Sequence, residues 1–188
     1  MFERIIELDK QLLLYLNNLG TAQWDPFWLF ITRHFNWAPL FIFLLLVMFR
    51  YLGWKRGVFL LVFIAVLVTF SDQFTNMIRR IFERLRPNND PELIDFLRTS
   101  IRPQNFSFTS GHATTSTAVT VFFIKLLRPY TKYIYFFVLF PLLFTYSRLY
   151  LGVHFPIDVT VGASIGALIG LSFYRLYLII ENKYFVKH

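Results

Sequence analysis

The sequence has 188 residues, no cysteine and a formal net charge of +8, and it is 56% hydrophobic but only 16% charged, with a mean hydropathy of +0.50. Charged residues make up about a quarter of a soluble globular protein, and a soluble domain of this size could not bury so much apolar surface. The composition therefore excludes a disordered chain, a collagen-like fibre and a disulfide scaffold, argues against a soluble enzyme, and predicts a polytopic membrane protein of one domain.

The first 20 residues predict an amphipathic helix, because apolar residues recur near helical spacing with charged residues between them. Asn17, Asn18 and Gly20 end this helix. A second short helix is predicted to begin around residues 24–28. We expect the first helix to lie in the membrane interface, and the alternative is a sixth crossing within residues 5–36. No cleavable signal peptide is predicted.

Five segments are apolar enough to cross a membrane, for which a helix needs roughly 20 mostly apolar residues. They are residues 37–52, 57–78, 112–128, 133–147 and 157–180. The predicted fold is therefore an all-α transmembrane helical bundle with five spans, preceded by the N-terminal region 1–36. The whole chain, residues 1–188, is predicted to form this one domain.

Small and aromatic residues predict how these spans pack. Gly162, Gly166 and Gly170 recur at every fourth position of the last span, and small residues at this spacing let helices approach closely. We expect them to pack within the bundle; a dimer contact is the alternative. Four aromatic residues are predicted to be interface anchors: Trp37, Tyr51, Trp54 and Tyr150.

Basic residues in the connecting segments predict the orientation. If the spans alternate, three sets fall on one side, which the positive-inside tendency makes cytoplasmic. These sets are Arg50, Lys55 and Arg56; Lys125, Arg128 and Lys132; and Lys183 and Lys187. The opposite side receives Arg79, Arg80, Arg84, Arg86, Arg98, Arg102 and Arg148. Arginines on this side need another explanation, and anion binding provides one.

Two of three polar clusters on that side involve helix ends. The first reads R-R-I-F-E-R-L-R-P at residues 79–87, and a continuous helix would place Arg79 and Arg86 two turns apart on one face. The second reads F-T-S-G-H and opens the third span. Its small residues Ser110 and Gly111 leave backbone N–H groups free at a helix N-terminus, which is a favourable anion site.

The third cluster reads S-R-L-Y-L-G-V-H-F-P-I-D at residues 147–158 and joins the fourth span to the fifth. Pro156 suits the first turn of a helix. Asp158 follows His154 by four residues, close enough to accept a hydrogen bond from its imidazole. Asp72, near the end of the second span, is interpreted as a partner of a first-cluster arginine or as a helix-end carboxylate, without a catalytic role.

Together the clusters indicate phosphoryl transfer. Each alone has a simpler interpretation, such as a basic face that touches lipid headgroups, but clustered ionisable groups at membrane depth are rare. Guanidiniums and helix N–H groups clamp phosphate oxygens, a histidine oriented by a carboxylate attacks phosphorus, and a second histidine protonates the leaving oxygen. The sequence has neither a dense carboxylate cluster for two metal ions nor a GxxxxGK[ST] loop.

The three clusters resemble the signature of the type-2 phosphatidic acid phosphatases, membrane relatives of the vanadium haloperoxidases and bacterial acid phosphatases. That signature reads K-x6-RP, PSGH and SR-x5-H-x3-D. The matching residues are Arg79, Arg86 and Pro87; Thr109, Ser110, Gly111 and His112; and Ser147, Arg148, His154 and Asp158. The resemblance covers residues 57–175. Arg79 stands where the family usually has Lys, and Thr109 where it usually has Pro, which bears on substrate preference more than on activity.

The resemblance implies a role for each matched residue. His154 would be the nucleophile that forms a phosphohistidine, Asp158 would orient it, and His112 would protonate the leaving group and then activate water. The phosphate would be bound by Arg79, Arg86, Ser110, Gly111 and Arg148. The family is all-helical, usually with six spans, and it needs no metal or other cofactor. Its active site lies on the extracytoplasmic face.

The predicted function is therefore a metal-independent lipid phosphatase of the plasma (inner) membrane with its active site on the periplasmic face. The predicted partners are the membrane and a lipid phosphate or pyrophosphate, with no nucleic acid. Phosphatidate, phosphatidylglycerol phosphate, undecaprenyl pyrophosphate and lipid A phosphates all present a suitable group. A lipid phosphotransferase with the same histidine is one alternative, and a non-catalytic headgroup-binding protein is another.

Overall fold

The computed structural model describes residues 1–99 and 101–185, and all regular secondary structure in them is helical, as predicted. Lys187 of the third predicted basic set lies outside the described residues. Short 3₁₀ turns occur at His34–Trp37, Pro87–Asn89 and Lys132–Val138. The α-helices are α1 (Phe2–Asn18), α2 (Asp25–Ile31), α3 (Ala38–Phe82), α4 (Gly111–Leu127), α5 (Leu139–Tyr150) and α6 (Pro156–Tyr184).

Helix α3 is two helices joined by a reversal at Gly53. This residue has φ 76° and ψ 171°, a conformation that favours glycine because it has no Cβ. The ring of Phe49 packs against Gly57, although eight residues of straight helix would separate them by about 12 Å. The chain therefore folds back at Gly53, and the predicted spans 37–52 and 57–78 are the two arms of this hairpin.

The central contact of the bundle joins α4 to α6 through the predicted glycine stripe. A Cβ added to Gly162 would lie 2.8 Å from the backbone oxygen of Ser110, and one added to Gly170 would lie 2.5 Å from that of Ala118. Gly166 lies directly against the backbone of Thr114. The prediction of packing within the bundle is confirmed, because each glycine removes a side chain that would separate the two helices.

Within the described residues, three helical segments are long and apolar enough to cross a membrane: His34–Asn89, Lys132–Tyr150 and Pro156–Tyr184. The first contains the hairpin of α3. Helix α4 has only 17 residues and is largely buried among the other helices. Its buried residues join one apolar cluster with side chains of α3, α5 and α6.

One end of the bundle is rich in basic side chains. The hairpin turn lies there, because Tyr51 stacks on Tyr130 and Arg56 lies 3.4 Å from Glu181 near the end of α6. Arg50, Lys55, Arg128, Lys132 and Lys183 belong to the same turns and helix end. The motif clusters lie at the opposite ends of these helices, so the predicted separation of the two groups of cations is present in the fold.

The N-terminal helix α1 is amphipathic as predicted, and the side that packs against the protein includes two polar residues. Leu13 is fully buried, and so are Asp9 and Asn17, which lie one turn before and one turn after it. The exposed surface of α1 has an apolar side, where Leu12 and Tyr15 are 47% and 64% exposed, and a second side of charged and amide side chains. Such a divided surface suits the boundary between lipid and water.

Replacing Gly166 with valine should destabilise the bundle by roughly 1–3 kcal/mol, because the added side chain meets the backbone of Thr114. Thermal unfolding of the purified protein in detergent measures the effect. Leu168→Val is the control, since Leu168 lies two residues away on the same helix and is 66% exposed. Equal midpoints for the two variants would contradict the packing role.

Candidate active site

A cavity of about 610 Å³ opens where the three motif clusters meet. Its polar lining is supplied by His34, Asp72, Arg79, Arg86, Asn105, Gly111, His112 and Arg148. Its apolar lining includes Phe41, Ile64, Val68, Val119, Phe140 and Phe144. Ser110, His154 and Asp158 are fully buried beside this lining. The structure therefore brings the predicted site residues together around one cavity, polar on one side and apolar on the other.

Arg79 and Arg86 do not share a helical face, so the prediction of a continuous helix through both is wrong. Helix α3 ends at Phe82, and Glu83 takes a left-handed conformation with φ 44°. Arg86 is extended, with ψ 152°, because a residue before proline is sterically driven out of the helical region. The chain turns between the two arginines, and they reach the same cavity from different directions.

Arg86 is held by a dense set of hydrogen bonds that extends to the predicted nucleophile. Its Nε donates to the backbone oxygen of Asn105 at 2.8 Å, and its Nη2 donates to Asn105 Oδ1 at 2.7 Å. Its Nη1 donates to the backbone oxygen of Val153 at 2.9 Å and lies 3.0 Å from His154 Nε2. Since a guanidinium only donates, Nε2 accepts here and carries a lone pair.

Arg79 and Arg148 reach the cavity from α3 and α5. Arg79 Nε donates to the backbone oxygen of Thr109 at 3.0 Å, next to the start of α4. Arg148 is buried, and its Nη1 donates to the hydroxyl of Thr32, the residue that follows α2. The Nε of Arg148 is buried without a partner in the described residues. The N–H groups that do donate find neutral oxygens, which leaves both positive charges for an anion.

Helix α4 begins at the cavity, as predicted. Ser110 caps it, and its side chain accepts from the backbone N–H of Ala113 at 3.4 Å. Gly111 is the first helical residue, and a Cβ there would lie 3.0 Å from Arg79 Nη2. The absence of a side chain at Gly111 lets a guanidinium approach the helix N-terminus, where free N–H groups attract anions.

His154 and Asp158 lie next to each other, but the predicted hydrogen bond between them is not formed, because His154 Nδ1 has no hydrogen-bond partner in the described residues. Pro156 begins α6, and Asp158 Oδ2 accepts from the backbone N–H of Phe155 at 2.9 Å. His154 Nδ1 lies 3.5 Å from the same Oδ2. Nε2 therefore faces Arg86 and Nδ1 faces the carboxylate, which is consistent with a proton on Nδ1.

Burial determines the protonation of His154, which lies in the loop between α5 and α6. It is completely buried, and this desolvation, followed by the charges of Arg86, Arg148 and Arg79, lowers the pKa of His154 well below its usual range. The imidazole is therefore neutral at physiological pH. A neutral imidazole keeps the lone pair that nucleophilic attack requires.

His34 is a site residue that the sequence motifs do not contain. Its ring centroid lies 4.6 Å from that of His112, and both rings lie against Phe144. The chain has only four histidines, so a histidine inside an apolar segment is the signal by which His34 could have been found. Asn105 and Thr32 carry no such signal, because they reach the arginines only through the tertiary fold.

One predicted interface anchor is instead part of the protein interior. Tyr150 is buried, and its hydroxyl donates to Asp25 at 2.7 Å, so its assignment to the membrane interface is wrong. Trp37 is half-buried, lines the cavity and donates its Nε1–H to the backbone oxygen of Ile31 at 2.8 Å. Its role as an interface anchor stays a prediction.

Asp72 contacts the first-cluster arginine indirectly. Asn76 donates to Asp72 Oδ2 at 3.1 Å, and Arg79 Nη1 donates to Asn76 Oδ1 at 3.2 Å. Asp72 is exposed at the cavity edge and does not pair directly with a guanidinium. Among the residues that the structure describes, no group of three or more His, Cys, Asp and Glu side chains is arranged to hold a metal ion.

The chain is similar to known proteins over most of its length. The PAP2 superfamily matches residues 57–180. Lipid A 4′-phosphatase of Bacteroides thetaiotaomicron is 35% identical over 178 residues, which are 93% of this chain and 79% of that protein. Lipid A 4′-phosphatase of Porphyromonas gingivalis is 29% identical over 187 residues, which are 97% of this chain and 78% of that protein.

Two crystal structures share the fold. One is the transmembrane PAP2-type phosphatidylglycerolphosphate phosphatase of Bacillus subtilis, with a TM-score of 0.74, 21% identity, and coverage of 94% of this chain and 88% of that one. The other is Aquifex aeolicus LpxE, with a TM-score of 0.66, 24% identity, and coverage of 88% of this chain and 93% of that one. At these identities the likeness establishes the arrangement of helices.

The protonation of His154 can be measured directly. In protein labelled with ¹⁵N-histidine, we expect the His154 ring to remain neutral as the pH falls through 6.5, because burial and three nearby arginines lower its pKa. NMR titration in detergent gives the midpoint, and a His154→Gln sample identifies the signal. A midpoint at or above 6.5 would contradict the neutral nucleophile.

Proposed function

The chain belongs to the PAP2 superfamily and is a membrane lipid phosphatase, and we propose that its substrate is phosphorylated lipid A, from which it removes the 4′-phosphate. The observation that carries this proposal is the similarity to two lipid A 4′-phosphatases over 93% and 97% of the chain. That similarity extends beyond the segment 57–180 into the N-terminal region. Enzymatic function excludes the non-catalytic headgroup-binding alternative.

The geometry supports attack on phosphorus by His154 Nε2. Arg79, Arg86 and Arg148, with the N–H groups at the start of α4, hold the three non-bridging oxygens and balance the charge of the transition state. A bond forms between Nε2 and phosphorus as the bond from phosphorus to the lipid oxygen breaks. Arg86 Nη1, 3.0 Å from Nε2, is close enough to transfer its hydrogen bond to a phosphate oxygen.

His112 completes the reaction in this proposal. It lines the cavity at the first turn of α4 and donates a proton to the leaving lipid oxygen. It then takes a proton from a water molecule that attacks the phosphohistidine, and the nitrogen–phosphorus bond breaks to release phosphate. Asp158 stabilises the positive charge on His154 between the two steps. Transfer to another alcohol shares the first step, and product analysis separates it from hydrolysis.

The apolar surfaces around the site suit a substrate with acyl chains. The cavity continues from its arginines to Phe41, Ile64 and Val68, which belong to the two arms of the α3 hairpin. A second, apolar groove of about 490 Å³ shares Trp37 and Phe140 with the cavity. A lipid can therefore place its phosphate among the arginines while its chains remain in apolar surroundings.

We further propose five membrane crossings, formed by the two arms of α3, by α4, by α5 with its preceding 3₁₀ turn, and by α6. Helix α1 lies in the interface in this arrangement. The positive-inside tendency places the hairpin turn and the end of α6 in the cytoplasm. The active site then faces the periplasm at the surface of the inner membrane.

Phosphate release from a panel of lipids tests the substrate. With EDTA present, we expect release from lipid A 4′-phosphate to exceed release from phosphatidate, phosphatidylglycerol phosphate and undecaprenyl pyrophosphate. Arg79→Ala should lower kcat/KM about 100-fold or more, the usual loss when one charge-stabilising donor is removed. Arg80→Ala is the matched control, because Arg80 is the exposed neighbour on the same helix.

The panel has clear contradictory outcomes. Preferential turnover of another lipid would overturn the assignment of lipid A as the substrate, but it would still agree with a lipid phosphatase activity. A strict requirement for an added divalent ion would contradict the proposed metal-independent mechanism. An equal loss of kcat/KM in Arg79→Ala and Arg80→Ala would contradict the assignment of Arg79 to the phosphate site.

The orientation can be tested with single cysteines, because the chain has none of its own. Asp95→Cys lies in the exposed segment between α3 and α4, at the active-site end, and Lys55→Cys lies exposed at the hairpin turn. In spheroplasts, a membrane-impermeant maleimide should label Asp95→Cys and spare Lys55→Cys until the membrane is opened. The reverse pattern would place the active site in the cytoplasm.

A further inference from the structure

Arg84 lies between two buried carboxylates, one on α1 and one on α6. Its Nη1 donates to Asp158 Oδ1 at 2.8 Å, and its Nη2 donates to Asp9 Oδ2 at 2.8 Å. The Asp9 and Asp158 side chains are 1% and 0% exposed. A guanidinium shared in this way orients both carboxylates, because each charge-assisted hydrogen bond fixes direction as well as distance. Arg84 is not a fixed position of the family signature.

The two carboxylate oxygens of Asp158 accept hydrogen bonds from different residues. Oδ2 accepts from Phe155 N–H at 2.9 Å and faces His154 Nδ1, whereas Oδ1 is held by Arg84. The Arg84 guanidinium also lies 3.8 Å from the centre of the Phe155 ring. Rotation of the carboxylate would break a buried, charged hydrogen bond, so Arg84 fixes the oxygen that faces the nucleophile.

Asp9 fixes Arg84 and the start of α6 together. Its Oδ2 accepts from Arg84, and its Oδ1 accepts from the backbone N–H of Ile157 at 2.9 Å. Ile157 directly precedes Asp158, so one side chain of α1 contacts both the guanidinium and the backbone beside the catalytic carboxylate. Without Asp9, Arg84 Nη2 would lose its carboxylate partner and the guanidinium would be free to turn away.

We propose that Arg84 and Asp9 are positioning residues that hold Asp158 in the orientation required by His154. This inference rests on the proposed role of His154 as the nucleophile, and it makes α1 part of the catalytic apparatus. Asp9→Asn tests it with little change in shape. The amide keeps an oxygen for Ile157 but loses the negative charge, and an NH₂ group that faces Arg84 would repel its donors.

Lys10 provides a matched control on the same helix. Its Nζ lies 3.3 Å from Asp90 Oδ2 and also pairs with Glu92, so it ties α1 to the segment after Pro87. Its contacts do not include Asp158 or Arg84. A loss of α1 docking would therefore affect Lys10→Met and Asp9→Asn alike, whereas a loss of positioning would affect Asp9→Asn alone.

The experiment measures kcat and KM for the lipid substrate in detergent, together with thermal unfolding midpoints. We expect Asp9→Asn to lower kcat by roughly 10- to 100-fold, the range found when a group that orients a functional side chain is removed. KM should stay within about twofold, because no phosphate contact is lost. Lys10→Met should keep kcat within about twofold, and Arg84→Lys should lie between wild type and Asp9→Asn.

A double-mutant cycle distinguishes positioning from general weakening. In an Asp158→Asn background, assayed at high enzyme concentration, Asp9→Asn should change kcat by less than about twofold, because both residues act through the same carboxylate. If Asp9→Asn does not purify as folded protein, Asp9→Glu and Arg84→Lys take its place in the cycle.

Several results would overturn the proposal. Additive losses in the cycle, or equal kcat values for Asp9→Asn and Lys10→Met, would show that Asp9 acts on structure alone. Near-normal turnover by Asp158→Asn and His154→Ala would overturn the proposed mechanism together with the positioning role. An inactive His154→Ala with a fully active Asp9→Asn would overturn the positioning role only.

Discussion

The structure depends on keeping three positive charges close together without neutralising them. Arg79, Arg86 and Arg148 donate to backbone carbonyls, a hydroxyl and an amide, all of them neutral acceptors, so their positive charges remain. In the part of the chain that the structure describes, none of the three forms an ion pair, whereas Arg84 and Arg98 both pair with carboxylates. Like charges held in a partly dehydrated cavity repel one another, and a phosphate dianion relieves that repulsion.

The same constraint explains why the N-terminal helices are needed. A buried guanidinium needs neutral acceptors if it is to keep its charge available. Thr32, which follows α2, is such an acceptor for Arg148. Helix α1 supplies Asp9, which keeps Arg84 directed at Asp158. The family signature lies in residues 57–175, but the groups that hold its side chains in place come in part from before it.

Local patterns predicted the helices well, because hydrophobic runs, Pro156 at a helix start and Ser110 at a cap act over a few residues. The spacing of Gly162, Gly166 and Gly170 also predicted the helix pair correctly. The continuous helix through Arg79 and Arg86 was wrong, because α3 ends at Phe82 and Glu83 is left-handed, whereas Pro87 restricts only Arg86. Thr32 and Arg148 are 116 residues apart and come into contact only in the folded chain. No local sequence pattern predicts such a contact.

Helix α1 has one further consequence, which concerns the bilayer itself. In the proposed interfacial position, the apolar part of its exposed surface, with Leu12 and Tyr15, would meet lipid, while its buried side holds Asp9 against Arg84. Headgroup packing, lateral pressure and membrane thickness act on the depth and tilt of such a helix. If Asp9 positions the catalytic carboxylate as proposed, these properties of the membrane would act on the reaction through α1, and the rate of the enzyme would depend on the state of the bilayer whose lipids it modifies.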